Sequence, residues 1–421
     1  MTGDIEVHID FAPGLRRVGT LRRQARRGGE AVSFEYHPAW LGEPARFSLE
    51  PALTLHRGAF APAGEQKFFG SIGDSAPDTW GRRLMQRAER RQAGLEGRPA
   101  RTLMESDYLL GVADVSRLGA LRFRNAGEST FQAPATTGVP GQIELGRLLH
   151  ITERILRDEE TDEDLAMIMA PGSSLGGARP KASVTGRHGQ LAIAKFPKET
   201  DDYSVELWEA VALNLAARAG IRTPEIELIR VAGKPVLLSR RFDRGHSGPE
   251  SGARIPFLSG LAMMGLRDGE RGSYPELADA LTRHGSQAAA DARELYQRMA
   301  FNVLISNVDD HLRNHGFLWL GAGGWTLSPA FDLNPTPTDL RQRILTTNIS
   351  LDEGTCDLDL VVSVAGYFGL GLPAARAMIG EVAAVTATWR EAAFALQARP
   401  GEIDRMESAF EHADLARALL L

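Results

Sequence analysis

Residues 307–316 read NVDDHLRNHG, the densest cluster of polar side chains in the 421-residue chain. The cluster follows an amphipathic helical pattern, ARELYQRMAFNVLIS at 292–306, and precedes a β-like run, GFLWL at 316–320. Connecting segments that rigid elements position often carry the functional side chains of a protein. We therefore predict a functional loop at this point of the chain.

The spacing inside the loop matches that of a phosphoryl-transfer loop. Asp309 and Asn314 form a D-x-x-x-x-N pair, whereas Asp310 and Asn314 do not. In protein kinases one tight loop of this spacing supplies the Asp that accepts the substrate hydroxyl proton and the Asn that binds Mg²⁺. A second carboxylate, Asp332 in SPAFDLNP at 328–335, follows at a strand end, where a further Mg²⁺ ligand is required. Oxygen ligands alone suit magnesium.

A metal-hydrolase interpretation of the same cluster stays open at this point. His311, His315 and the neighbouring aspartates could instead be ligands of zinc or manganese. That alternative leaves unexplained a Gly-rich segment and a strand lysine that come earlier in the chain.

The Gly-rich segment is PGSSLGGARPK, 171–181. Glycine permits positive φ and close backbone approach, so the segment can present N–H groups to phosphates, although a plain flexible turn has a similar composition. In the later strand LAIAKFP, 191–197, alternation places Lys195 on the same face as Leu191 and Ile193. A lysine in apolar surroundings needs an anionic partner, and the alternative is an edge lysine that reaches solvent.

A helix predicted at 204–219 offers that partner. It ends at Gly220 in the manner of a helix C-terminus. On a helical wheel Glu209 falls within the apolar face, and Glu206 lies at its margin. Pairing between Glu209 and Lys195 would relieve both desolvation penalties. The alternative for Glu209 is a local surface pair with an arginine.

The remaining patterns predict a mixed sheet part followed by a helical part. Short β-like runs fill much of 5–60 and flank the 204–219 helix, and a hairpin turned at His188-Gly189 joins ASVTG to LAIAKF. Helices are expected at 81–91 and 145–157, and after about residue 254 nearly everything reads helical, apart from the strand pair GFLWL and GWTLS. We predict an α+β protein with a two-lobed, kinase-like fold behind an N-terminal α+β domain. Its predicted segments are 1–135, 136–254 and 255–421, with a Gly-, Thr- and Pro-rich linker at 125–141.

Composition and charge exclude several classes of protein. The chain is 43% hydrophobic and 24% charged, with a single cysteine, Cys356, so disorder, an intrachain disulfide and a multi-thiolate zinc site are excluded. No run approaches the roughly 18 apolar residues of a membrane span, and the N-terminus lacks a signal pattern, so a cytoplasmic location is expected. Residues 1–125 carry 19 Lys and Arg against 15 Asp and Glu, and the rest 29 against 39. Arginine clusters at 16–27 and 82–91 indicate either a solvated surface or a footprint for an acidic partner such as nucleic acid.

These motifs together resemble the HipA family, the serine/threonine-kinase toxins of bacterial type II toxin–antitoxin modules. The resemblance runs along nearly the whole chain. It is carried by SSLGGARPK at 173–181, AIAKFP, WEAVALNLA, RRFDR at 240–244, NVDDHLRN and SPAFDLNP. The NVDDHLRN and SPAFD motifs are the specific ones. The N-terminal pieces FSLEPAL, DSAPDTWGRRLMQR and YLLGVADVSRLGALRF are also similar to the first domain of the family. Arg240 departs from the family pattern, in which an acidic residue often precedes R-F-D-R.

The resemblance implies ATP- and Mg²⁺-dependent phosphorylation of a protein Ser or Thr, with Asp309 as the catalytic residue and Asn314 and Asp332 on Mg²⁺. It also implies autophosphorylation at Ser174, for which Ser173 could compete. The implied nucleotide-binding residues are Ser174, Gly176, Gly177, Lys181, Lys195, Glu209 and His311.

The implied partners are a HipB-like helix-turn-helix antitoxin, which would bring the chain to DNA indirectly, and a protein substrate such as an aminoacyl-tRNA synthetase. Two rival functions stay open from the sequence. One is a small-molecule phosphotransferase of the aminoglycoside type, which the acidic C-terminal part favours. The other is a kinase-like subunit that acts mainly as a co-repressor with a DNA-binding antitoxin.

Overall fold

The computed structural model of the chain describes residues 3–11, 14–27, 29–64, 66–133, 138–169, 177–245, 252–321 and 323–421. The chain divides into two compact units. Unit 1 comprises Met1–Glu199, Arg230–Lys234 and Leu238–Leu258, and unit 2 comprises Thr200–Ile229, Pro235–Leu237 and Ser259–Leu421. The predicted three-part division at 135 and 254 stays a prediction.

The strands are β1 (Ile5–Phe11), β2 (Gly14–Arg26), β3 (Gly29–Tyr36), β4 (Ala59–Phe60), β5 (Leu121–Asn125), β6 (Lys181–Thr185), β7 (Leu191–Lys195), β8 (Ile226–Val231), β9 (Lys234–Arg240), β10 (Phe257–Ser259), β11 (Gly316–Trp319) and β12 (Trp325–Leu327). The helices are α1 (Pro38–Gly42), α2 (Gly70–Gly73), α3 (Thr79–Leu95), α4 (Glu105–Gly111), α5 (Leu145–Leu156), α6 (Asp162–Met169), α7 (Val205–Arg218), α8 (Gly260–Met263), α9 (Tyr274–His284), α10 (Ala288–Leu304), α11 (Leu358–Ser363), α12 (Leu372–Thr386), α13 (Trp389–Ala395), α14 (Pro400–Phe410) and α15 (Ala413–Ala418). None of the helices in the described residues is long and apolar enough to cross a membrane.

Unit 1 begins with a five-stranded antiparallel sheet in the order β4-β3-β2-β1-β5. β1 is an inner strand, and Ile5 lies opposite Leu21 of β2 and Asn125 of β5. Both faces of β1 are covered, because Glu6 and His8 are buried as well as the alternating apolar residues. The predicted β-like runs at the N-terminus are therefore confirmed.

A second sheet has the order β6-β7-β9-β8. β6 and β7 form the predicted antiparallel hairpin, with Lys181 directly opposite Lys195. Gly189 in its turn has φ +79°, a left-handed conformation that favours glycine. Helices α3, α5 and α6 pack together nearby through a cluster of apolar side chains, which are Trp80, Leu84, Ile151, Ile155, Leu165 and Ile168.

Unit 2 is mainly helical. Its apolar residues include a trio of aromatic rings, in which Trp389 stacks on Phe410 with ring centroids 4.7 Å apart and Trp208 of α7 lies 6.0 Å from Trp389. β11 and β12 pair as the predicted strand pair, and β10 is the third strand of that sheet. The mixed α+β fold class is thus confirmed.

One stretch of unit 2 differs from the predicted helical pattern. Residues 328–357 contain neither helix nor strand. Three prolines, at 329, 335 and 337, remove backbone donors and restrict the preceding residues. The backbone of this segment bonds to other loops instead: Thr346 N–H donates to Val308 O at 3.2 Å, and Thr347 N–H donates to Asp310 O at 2.8 Å.

Candidate functional site

The loop that follows α10 is held in place by the irregular segment. Ser306, just after the helix, has φ +53°, so the chain reverses through a left-handed residue. Thr336 N–H donates to Ser306 O at 3.2 Å, and Asn334 N–H donates to the side-chain Oδ1 of Asn307 at 3.2 Å. Residues 306–310 are therefore fixed by hydrogen bonds from two parts of the irregular segment, residues 334–336 and residues 346–347.

Asp309 lies exposed on this loop. Its side chain is 57% exposed, and its Oδ1 lies 3.0 Å from Arg341 Nη1. Asn314 closes the turn, since its Nδ2 donates to the backbone oxygen of Asp309 at 3.3 Å. The two residues with the D-x-x-x-x-N spacing are thus brought to one turn, with the Asp309 carboxylate open to an incoming group.

Asp310, by contrast, is buried. Its Oδ2 accepts a hydrogen bond from the Tyr274 hydroxyl at 2.6 Å, and its Oδ1 lies 3.2 Å from His315 Nε2. Burial, and then the Asp310 carboxylate, raise the pKa of the Tyr274 hydroxyl well above its ordinary value. Asn302 Nδ2 also donates to the Tyr274 hydroxyl, at 2.9 Å. Asp310 and His315 are therefore parts of a buried polar network.

The alternative metal-hydrolase site is not found in the described residues, where no three His, Cys, Asp or Glu side chains are grouped as metal ligands. His315 is buried against Asp310, as above. His311 is half-buried, and its Nδ1 is a buried atom with no hydrogen-bond partner among the described residues. The assignment of His311 to the nucleotide site stays a prediction.

Asp332 lies on a strained turn that is bonded to the same loop. Its φ is +59°, which is uncommon for a residue other than glycine. Asn334 Nδ2 donates to the backbone O and to the Oδ1 of Asp332, both at 3.2 Å, while Asn334 N–H reaches Asn307 as described above. Asn334 therefore joins the Asp332 turn to the loop of Asp309.

The donor set around this turn fits magnesium. The predicted ligands Asn314 and Asp332 offer oxygen atoms, which Mg²⁺ prefers. In addition, Asn334 Oδ1 is buried and has no hydrogen-bond partner among the described residues. A hard cation would compensate such oxygens.

Both glutamates on α7 are buried. Glu209 is 3% exposed, as its place in the apolar face predicts, but Glu206 is 1% exposed rather than marginal. The position of Glu206 at the margin of the apolar face did not indicate this burial, because α7 is enclosed on nearly all sides: every residue from 206 to 213 is buried. Burial alone does not select Glu209 over Glu206 as the partner of Lys195, and that pairing stays a prediction.

In unit 1 the structure describes part of the predicted nucleotide-binding set. Ser173, Ser174 and Gly176 lie outside the described residues. Lys195 is half-buried on β7, and Gly177 has φ +92°. Lys181 is buried, and its Nζ lies 3.1 Å from Oδ2 of Asp78, a residue that the sequence analysis did not single out.

The RRFDR segment is part of a buried charge network that sequence reasoning missed. Asp243 accepts hydrogen bonds from Arg241 Nε at 2.6 Å, from Arg244 Nη1 at 2.7 Å and from the Gly119 N–H at 2.7 Å. Although burial would raise the pKa of Asp243, the two arginines hold it well below its ordinary value. The segment therefore ties 115–119 to the strand end after β9, while Arg240 is only half-buried.

About half of the arginines in the two clusters form ion pairs with nearby carboxylates. In the first cluster Arg17 pairs with Glu6 at 3.0 Å and Arg22 with Glu35 at 2.9 Å. In the second, Arg82 pairs with Glu105 at 2.6 Å, and Arg87 and Arg91 pair with carboxylates at 158–162. These contacts favour the interpretation of a solvated, ion-paired surface.

The comparisons with known proteins agree with the motifs. A model described as the HipA-like C-terminal domain matches residues 173–389, and one described as the HipA N-terminal domain matches residues 12–104. The chain therefore belongs to the HipA family.

Individual relatives match most or part of the chain. It is 25% identical over 383 residues to the protein named "Putative kinase Y4mE" of Sinorhizobium fredii, which covers 85% of each chain. It is also 30% identical to "Putative kinase Y4dM" of the same organism over 158 residues. That match covers 34% of this chain and 37% of the relative. Its fold is similar to that of HipA of Shewanella oneidensis, solved in a complex with HipB and operator DNA, with a TM-score of 0.68, 16% identity and coverage of 98% and 96%.

Proposed function

We propose that the protein is an ATP- and Mg²⁺-dependent serine/threonine-protein kinase. The observation that carries the proposal is the placement of Asp309, Asn314 and the Asp332 turn on one bonded loop cluster. The curated relatives carry the name "Putative kinase", which agrees with it. Family membership alone would not suffice, because a fold can host several functions.

In the proposed reaction the γ-phosphoryl group of ATP passes to a substrate hydroxyl, ADP leaves, and the hydroxyl proton passes to Asp309. Arg341 binds Oδ1 of that carboxylate, and we assign the proton-accepting role to Oδ2. The exposed position of Asp309 allows a protein side chain to reach it. A bound Mg²⁺ ion would supply electrostatic stabilisation of the charge on the transferred group.

Asn314 and Asp332 are the proposed Mg²⁺ ligands. Asn314 is oriented by the hydrogen bond from its side-chain Nδ2 to the backbone oxygen of Asp309. Asp332 is oriented by the hydrogen bond that its Oδ1 accepts from Asn334 Nδ2. In unit 1, Lys195 is the proposed cation for the ATP phosphates, and we retain Ser174, Gly176, Gly177, Lys181, Glu209 and His311 as the proposed nucleotide-binding set.

We further propose that the chain is the toxin of a type II module with a HipB-like antitoxin. The support is family membership and the HipB in the Shewanella complex. The antitoxin would carry the DNA contact, as the presence of HipB and operator DNA in the Shewanella complex suggests. The protein substrate, for which the family resemblance suggests an aminoacyl-tRNA synthetase, and autophosphorylation at Ser174 belong to the same proposal.

Incubation of the purified chain with labelled ATP and Mg²⁺ tests the function. We expect label on the protein itself, at Ser174 or Ser173 by mass spectrometry, and none after chelation of Mg²⁺. Asn314→Ala and Asp332→Ala should raise the Mg²⁺ concentration that gives half of the maximal rate. Labelling of an aminoglycoside rather than of protein would contradict the assignment.

A further inference from the structure

Residues at the start of α3 form hydrogen bonds with residues 177–181, the part of the Gly-rich segment that the structure describes. Asp78 is the N-cap of α3, and its Oδ1 accepts the Gly81 N–H at 2.7 Å. Capping a helix uses one side-chain oxygen. The second oxygen, Oδ2, accepts a hydrogen bond from Lys181 Nζ at 3.1 Å, across a sequence separation of 103 residues.

The Asp78–Lys181 ion pair is buried. The two side chains are only 5% and 4% exposed. Burial raises the pKa of the Asp78 carboxyl, and the Lys181 ammonium opposes that rise. In a buried pair, loss of one partner leaves the other charge uncompensated in a medium that solvates it poorly. The pair is therefore a strong constraint on the position of Lys181.

Trp80 makes two further bonds to the same segment. Its backbone N–H donates to Gly177 O at 3.3 Å, and its ring Nε1–H donates to Lys181 O at 3.1 Å. A side chain at Gly177 is disfavoured by its φ of +92°, and a Cβ there would lie 2.9 Å from Lys181 Nζ, so the ammonium would have to shift. The first turn of α3 thus holds both ends of 177–181.

Lys181 also faces the predicted ATP-binding lysine across the hairpin. It lies directly opposite Lys195 in the β6–β7 register. Directly opposite residues share a face of the sheet, and like charges in such a pair repel. The carboxylate of Asp78 compensates the Lys181 charge, so the hairpin can keep Lys195 on this face at a lower electrostatic cost.

We propose that Asp78 is a positioning residue of the nucleotide site, which acts through Lys181 and is supported by Trp80. Asp78 fixes the end of the Gly-rich segment, whose backbone must be placed accurately to bind phosphates. This inference rests on the proposed function, because it needs ATP as the ligand. The inference means that α3, a helix of the N-terminal part of the chain, contributes to the affinity for ATP.

The test is a titration of the full chain with ATP and Mg²⁺, together with the KM for ATP and kcat. Asp78→Asn is the sharpest variant, because Asn caps a helix as well as Asp does but carries no charge for Lys181. We expect its Kd and KM for ATP to rise about tenfold while kcat at saturating ATP stays within about twofold, since a displaced binding segment weakens the ground state. Asp357→Asn is the matched control, because Asp357 caps α11 through bonds to Asp359 N–H and Leu360 N–H, and it should leave both values unchanged.

A double-mutant cycle tests the route through Lys181. The double variant combines Asp78→Asn with Lys181→Met. If the two residues act as one pair, its Kd for ATP should lie within about twofold of the Kd of either single variant. Losses that add would mean that Asp78 and Lys181 affect ATP binding independently of each other, and they would overturn the proposed route. Trp80→Phe covers the case in which Asp78→Asn does not fold: it removes the ring donor to Lys181 O while keeping an apolar ring in the cluster, and we expect the Kd to rise about threefold.

The outcomes separate the inference from the function. A wild-type chain that binds ATP, with an unchanged Kd in Asp78→Asn, overturns this inference alone. So does an unchanged Kd in Trp80→Phe if the Asp78 variant is unfolded. A wild-type chain that binds no ATP overturns both the proposed function and the inference.

Discussion

The Tyr274 hydroxyl donates a hydrogen bond to the carboxylate of Asp310 at 2.6 Å, within a buried network. The preceding residue, Asp309, has a side chain that is 57% exposed. Neighbouring aspartates in the same loop thus have opposite environments. Asp310 is held by Tyr274 and lies beside His315, whereas Asp309 contacts an exposed arginine. This division gives Asp310 a structural role and leaves Asp309 accessible to a substrate.

The division predicts different effects on stability. Tyr274→Phe should lower the free energy of unfolding by about 2 kcal/mol, because Asp310 loses a buried donor. Asp309→Asn should change it by less than about 0.5 kcal/mol, since exposed groups contribute little. Urea unfolding of the two variants measures both values. Equal losses would mean that Asp309 is also part of the packed structure.

The Asp243 network predicts a large loss of stability away from the site. Asp243→Asn should cost about 3–5 kcal/mol, because Arg241 and Arg244 would remain buried without their carboxylate. Asp359→Asn is the matched control: its pair with Arg417 at 2.6 Å is exposed, and its loss should stay below about 1 kcal/mol. Urea unfolding midpoints of the two variants give the comparison, and similar losses would refute a structural role for the RRFDR segment.

His412 predicts a pH dependence of stability. Burial, and then the nearby Arg343, lower the pKa of His412 to about 4, below its ordinary value. The unfolded chain therefore takes up a proton first as the pH falls, so stability is full above about pH 6.5 and declines towards pH 4. We expect His412→Asn, which can still cap α15, to reduce that decline by about 2 kcal/mol. Unfolding at pH 7, 5.5 and 4 measures it, and an unchanged decline would contradict the assignment.

The proposed pair of Lys195 with a glutamate of α7 predicts coupled losses. Lys195→Met and Glu209→Gln should each weaken ATP binding, and the double variant should lose much less than the sum of both effects. Glu206→Gln is the comparison, since Glu206 is equally buried. Additive losses for Glu209, with coupling for Glu206, would assign the pair to Glu206 instead.

Local patterns in the sequence predicted the local structure of the site. Alternation located the β6–β7 hairpin, and the helical period located the buried position of Glu209. The D-x-x-x-x-N spacing located the turn in which Asn314 reaches the Asp309 backbone. In each case the relevant contacts lie within a few residues or follow from a simple period.

Contacts between distant residues were not predictable in this way. The helical wheel placed Glu206 at the margin of the apolar face, but tertiary packing buries it, and the Asp78–Lys181 pair spans 103 residues. The irregular segment 328–357 is stabilised by bonds to the loop of Asp309 rather than by its own periodicity. Such features depend on tertiary packing, which overrides local propensity.

The rate of label transfer from ATP by Asp309→Ala tests the central claim most directly. The control is Asp404→Ala, an exposed aspartate on α14 of the same unit. With Mg²⁺ present, we expect the Asp404 variant to label at the wild-type rate. The Asp309 variant should be folded and retain ATP binding but lose transfer by at least about a hundredfold, because it lacks the proposed acceptor of the hydroxyl proton. Undiminished labelling by Asp309→Ala would contradict the kinase site proposed for this protein.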